Sequence, residues 1–411
     1  MTCIIFENAN VFDGQSNELR EAHHVAVEGT RIKEVSDVPI KSSSAMRLDC
    51  QRKTLMPGMI DNHVHIYFES LNLRPPYPPI TYRAQYAQKF MRHMLSCGFT
   101  TVRDVGGGDH GMAMALQDQF LEGPRFFYGG LCLTQTGGHG DMRLMSQPTD
   151  YCACGSEHNV FAIHADGVHE CIKATREELR KGASHIKIMA SGGIMSLSDP
   201  LERSQYSEEE IRAIVSECTR WGAYVCAHCH PAEAIQRCVD LGVRCIEHGT
   251  LIDESTAAAV VKKGAFVVPT LAVIFALIED GPQLGLQAAS RIKLEKLQEK
   301  ALVGLEAMSK AGVKMGFGTD LMGKQHVRHG TEFTLRNRVL TPLEILRSAT
   351  SINAEILQMQ DKLGVVKQGA FADLLVVDGD PIADIGVIAS NGRHITHIMV
   401  DGMFRKGSLT N

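Results

Sequence analysis

The chain has 411 residues, 44% hydrophobic and 22% charged, with a formal net charge of −5. No basic footprint points to nucleic acid. The longest largely apolar stretch, 265–278, is interrupted by Pro269 and too short to cross a membrane. The 12 cysteines follow no regular framework and Met1–Glu7 carry no basic n-region, so reduced thiols in a cytoplasmic protein are expected. Histidine stands out: 18 against one Trp and 8 Tyr. It is the commonest metal ligand and a frequent general acid or base, so its placement decides what the excess means.

Residues 1–55 hold short β-rich runs (3–5, 24–28 and 31–35) with turns at Asp13-Gly14 and Glu28-Gly29. Eight apolar runs follow: 58–66, 99–105, 125–133, 185–190, 224–230, 245–248, 265–271 and 314–320. Near-continuous apolar runs of this length read as buried parallel strands. Helical patterns separate them. Ser207 and Glu210 form a capping box before Ile211, Ile214, Val215 and Cys218, and Gly222 closes the helix. Thr341-Pro342-Leu343-Glu344 repeats the start signal after the eighth run. Residues 363–411 return to short strands and turns. The expected fold is α/β: a (β/α)8 TIM barrel over 56–362, beside a small β-sandwich built from 1–55 and 363–411. The insertion at about 134–165 is expected to form part of a substrate lid.

Active sites of such barrels lie at the C-terminal ends of the strands. The first run ends Asp61-Asn62-His63-Val64-His65. Residues i and i+2 of a strand share a face, so His63 and His65 point together into the barrel mouth. The fourth run carries Lys187 among apolar neighbours. A buried ammonium is costly. Lys187 therefore pairs with a carboxylate, serves as a Schiff-base nucleophile, or carries a carboxylated amine that bridges two metals. The fifth run ends with His228 and His230, the sixth with His248 and the eighth with Asp320. Histidine and carboxylate donors at several separate strand ends suit a catalytic zinc site.

The run Met56–His65, with Lys187, His228, His248 and Gly318-Thr319-Asp320, resembles the amidohydrolase superfamily. The resemblance spans essentially the whole chain, including the tail Gly369–Val377. Val102–Gly107, Thr136–Asp141 and Ile186–Gly193 are similar to imidazolonepropionase-like dipeptidases, in particular the Xaa-Pro dipeptidases (prolidases). The resemblance implies two divalent ions, zinc by expectation. His63, His65 and Asp320 would hold the more buried one, His228 and His248 the other, and an N-carboxylated Lys187 would bridge them.

The implied reaction is hydrolysis of a dipeptide. The ions make hydroxide available near neutral pH, and Asp320 shuttles a proton to the leaving amine. His230, in a slot where prolidase-like enzymes often carry Tyr, is expected to contact the substrate carbonyl or oxyanion. His139, in a glycine-flanked loop, is expected to bind the terminal carboxylate. Arg203 and Tyr206 are further substrate-contact candidates. His110, His326 and His329 fall in loops at the active face and stay unassigned.

Other readings compete. The same site could serve a dipeptidase for C-terminal Arg or Lys, or a cyclic-amide or urea-type hydrolase. Lys187 could act as a metal-free Schiff base. A ligand-depleted, non-enzymatic assembly protein of the same fold is disfavoured, because all six ligand positions are filled. The expected partners are a small dipeptide substrate and further copies of the chain in a homo-oligomer, with neither nucleic acid nor membrane.

Overall fold

Describing residues 3–72, 77–143, 160–196 and 199–408, a computed structural model arranges the apolar runs as parallel strands alternating with helices. One parallel sheet joins Met59–Val64, Phe99–Asp104 and Arg125–Tyr128. The other runs in the order Ala162–His164, Cys132–Thr134, His185–Met189, Tyr224–Pro231, Cys245–Leu251 and Phe266–Val268. This is the TIM-barrel type of α/β architecture.

Two runs depart from expectation. Run 125–133 is split at Gly129-Gly130. Gly130 has φ +71°, and a Cβ there would collide with the Glu178 carboxylate. The two halves pair into different sheets. Run 314–320 is no regular strand. It makes a single bridge, Met315 to Val267, and then bonds to the first strand, Asn62 N–H to Phe317 O at 2.9 Å and Asp320 N–H to His63 O at 2.9 Å. Gly318 explains the close approach, since a Cβ there would lie 2.6 Å from the His63 Cβ. Hydrogen bonds also cross the opposite gap, where Ser184 N–H donates to Tyr128 O at 2.9 Å. Within the insertion, Ala162–His164 adds a strand parallel to Cys132–Thr134. Half of the expected lid, 144–159, lies outside the described residues.

The helix signals act as read. Helix Glu208–Trp221 has a complete Ser207–Glu210 capping box, buries Ile211, Ile214 and Cys218, and ends on left-handed Gly222. Helix Pro342–Arg347 has the same box on Thr341 and Glu344. No helix among the described residues is long and apolar enough to cross a membrane.

Both ends of the chain meet in one eight-stranded sheet. Leu374–Val377 pairs antiparallel with Thr54–Pro57, which lies parallel to Cys3–Val11. Ile4, Phe6, Val25, Leu55, Leu374 and Met399 are buried together there. Arg125 ties this sheet to the parallel strands through Asp373 at 3.2 Å and Asp401 at 2.5 Å.

Asn353 stitches the first strand to the eighth run. Its amide nitrogen donates to Ile60 O at 2.7 Å and Phe317 O at 2.9 Å, and its oxygen accepts from Phe317 N–H at 3.0 Å and Asn62 Nδ2 at 2.8 Å. All of this is buried, and each group stranded without a partner costs about 1–3 kcal/mol. Asn353→Leu is therefore expected to lower stability by about 3 kcal/mol or more, measured by urea unfolding.

Candidate metal centre

Strand ends bring the predicted donors into one cavity. His63, His65, Lys187, His228, His230, His248, His139 and Asp320 all line it. The Nε2 atoms of His63 and His65 lie 3.5 and 3.4 Å from Asp320 Oδ1. These three residues offer ligand atoms that all fall within 4.8 Å of one another. Across the cavity the His228 and His248 rings lie 4.6 Å apart, and His248 lies 4.9 Å from His63.

Each histidine is fixed by the nitrogen it turns away. His63 Nδ1 donates to Glu247 at 2.7 Å and His65 Nδ1 to Gly106 O at 2.9 Å, leaving both Nε2 lone pairs toward Asp320. His228 donates from Nε2 to Gly192 O at 3.2 Å and keeps Nδ1. His248 Nδ1 bonds Thr270 Oγ1 at 2.7 Å, and His230 Nδ1 bonds Thr250 Oγ1 at 3.2 Å. Such outer partners set ring orientation and tautomer in metal sites. Burial pushes His63 down to about 4, so its ring is neutral and able to coordinate.

Lys187 is 2% exposed and forms no ion pair with any described residue. An unpaired buried ammonium is unfavourable. The donors around it are those a divalent cation takes, so the residues fit a metal centre.

The site also rests on two residues that sequence reading missed. Glu247 and Arg103 are completely buried and 2.7 Å apart. Burial alone would raise the Glu247 pKa, but Arg103, with His63, holds the carboxyl well below its usual range. Arg103 also donates to Asn62 O at 2.7 Å. The sequence signals were an acidic residue directly before His248 and a basic one inside an apolar run, within the Val102–Gly107 motif. Two site residues also carry strained backbone: His248 has φ +73° and Asp320 φ +54°.

Arg203 and Tyr206 are not among the described residues that line the cavity. Arg203 is exposed, and its main-chain oxygen accepts from Gly192 N–H at 3.1 Å. Tyr206 is buried, and its main chain is held by Gln135 at 2.5 Å and Arg237 at 2.7 Å. Apart from Thr270, the rest of the described cavity wall is apolar, with Phe68, Phe161, Met189, Ile194 and Leu277 among its residues.

The unassigned histidines lie elsewhere. His110 faces Tyr128 in a separate cleft. His326 stacks on Phe90 at 3.9 Å and bonds the Tyr86 hydroxyl at 2.7 Å, with His93 and His329 nearby.

Two outcomes follow. Glu247→Gln is expected to weaken metal binding about 10–100-fold while the protein stays folded, read by chelator competition and circular dichroism. Burial pushes His326 down to about 3. Its neutral ring therefore stabilises the fold above the ordinary value near 6.5, and this contribution is lost as the pH falls toward the folded value. His326→Phe is expected to flatten the acid limb of stability by about 1.4 kcal/mol per pH unit, measured by urea unfolding across that window.

Comparison with known proteins gives the family. The Amidohydrolase family profile matches residues 54–404. Ochratoxinase of Aspergillus niger is 30% identical over 390 residues, covering 90% of this chain and 80% of its own. A prolidase crystallised with N-methylphosphonate-L-proline has TM-score 0.95 and 44% identity, covering 99% of this chain and 100% of that one. A Xaa-Pro dipeptidase with methionine bound in its active site has TM-score 0.88 and 28% identity, covering 99% and 100%. With a family match over most of its length and relatives along nearly all of it, the chain belongs to the amidohydrolase family.

Proposed function

We propose that this protein is a binuclear metal-dependent dipeptidase acting on Xaa-Pro dipeptides. The observation that carries the reading is convergence: two histidines from one strand end, Asp320, two further histidines and an unpaired buried lysine line a single cavity. His63, His65 and Asp320 would hold one ion, His228 and His248 the other, and Lys187, N-carboxylated, would bridge them. When bound, two divalent ions, zinc in our reading, supply a water acidic enough to ionise near neutral pH and polarise the scissile carbonyl.

The protein's own groups do the rest. Asp320 is positioned to take the proton of the attacking water and return it to the leaving nitrogen. That return is needed because the amide nitrogen before a proline has no N–H and must gain a proton to leave as a secondary amine. With Nδ1 engaged by Thr250, His230 donates its Nε2–H to the carbonyl oxygen. His139 receives the terminal carboxylate.

The architecture we infer around the site is a closed barrel over 56–362. The bonds across both gaps support closure. The two termini, 1–55 and 363–411, are read as a composite β-sandwich beside it, in which their single eight-stranded sheet would fold over its shared core.

Specificity for a C-terminal Arg or Lys is disfavoured, because Asp320 is the only carboxylate among the described lining residues. The apolar wall also suits a bulky acyl group, so N-acyl amino acids belong in the substrate panel alongside dipeptides.

Purified protein is expected to hold two divalent ions per chain and to lose Xaa-Pro cleavage on chelation. Asp320→Asn is expected to lower kcat by about 10²–10⁴-fold. Failure of the metal-loaded enzyme to cleave any Xaa-Pro dipeptide in a panel that includes C-terminal Arg and Lys would overturn the assignment.

A further inference from the structure

His139 is held by a loop that is itself pinned from a distant helix. Helix Ala288–Ala311 sends Lys293 toward the segment after strand His185–Met189. The ammonium donates to three main-chain oxygens, Gly193 at 2.8 Å, Ser196 at 2.9 Å and Asp199 at 2.6 Å. A lysine has three donors, so all are used. The Asp199 carboxylate is farther, at 3.8 Å.

The pinned segment grips His139 at two points. Its main-chain N–H donates to Gln205 Oε1 at 2.9 Å, and Gln205 Nε2 donates to Asp199 at 3.1 Å. Its ring Nδ1 lies 2.7 Å from Ser196 Oγ. The Ser196 hydroxyl gives its own hydrogen to Asp199, so it accepts from His139. Nδ1 therefore carries a proton, and Nε2 is the nitrogen left for the substrate, whose carboxylate it holds by donating a second N–H as the imidazolium. The ring stacks on His228, 4.2 Å away and 20° from parallel, which sets its tilt.

We propose that Lys293 is a positioning residue for substrate binding: its ammonium, bonded to three carbonyl oxygens, holds Ser196 and Asp199 where they aim His139 into the cavity. The inference rests on the reading of His139 as the contact for the substrate carboxylate. It deepens that reading by locating a control of affinity on a helix that does not line the cavity at Lys293.

The test is Lys293→Met, which keeps the aliphatic stem and removes the donors. Backbone amide exchange across 191–206 is expected to rise about tenfold or more while the barrel strands stay protected. KM for an Xaa-Pro dipeptide is expected to rise about tenfold, with kcat and metal content near wild type. Added to His139→Ala, the substitution should raise KM no further. Lys293→Arg, which retains charge and donors, should recover part of the protection. Unchanged exchange across 191–206 overturns the proposal, whether or not a substrate is turned over. Additive effects of Lys293→Met and His139→Ala on KM overturn it too. If Lys293→Met loosens the segment but His139→Ala leaves KM unchanged, the clamp stands and the reading of His139 falls.

Discussion

A single buried carboxylate holds this site to its scaffold. Glu247 gives one oxygen to Arg103 and the other to His63, with no solvent at any of the three. Breaking a buried pair leaves an uncompensated charge, which costs about 3–5 kcal/mol. Arg103 extends the constraint, since it also reaches Asn62 O and the Tyr224 hydroxyl. Four strands are thereby keyed to one another at the depth of His63. The barrel core and the ligand geometry are one problem with one solution, so the histidine cannot relax without disturbing an ion pair.

Much of the active face was legible because strand periodicity is short. His63 and His65 stand two apart, so one face of one strand carries both, and the structure sets their Nε2 atoms within 0.1 Å of the same distance from Asp320. The capping boxes at Ser207 and Thr341 were equally local and fold as read. What escaped was relational. Glu247 and Arg103 are 144 residues apart, and nothing local says that they meet. Arg203 and Tyr206 lie on the correct face in sequence, yet local packing turns one to solvent and buries the other outside the cavity. The glycines that split the third run and bring the eighth close were visible, but their effect depends on Glu178 and His63, the side chains they must clear.

The cavity divides its labour by polarity. Donors gather at or just past the strand ends, and the remaining wall is mostly Met, Phe, Ile, Leu and Val side chains from loops, from helix Leu271–Asp280 and from the strand end at Met189. The loop-borne parts of that wall tolerate change more readily than the strands.

The left-handed backbone at His248 and Asp320 sets a cost against the geometry of the cavity. A non-glycine residue held there stores about 1–3 kcal/mol of strain. Glycine at either position would release that strain but forfeit buried contacts: His248 Nδ1 to Thr270 Oγ1 at 2.7 Å, and the Asp320 carboxylate beside the His63 and His65 imidazoles. At these two positions the backbone favours one residue and the side-chain contacts another.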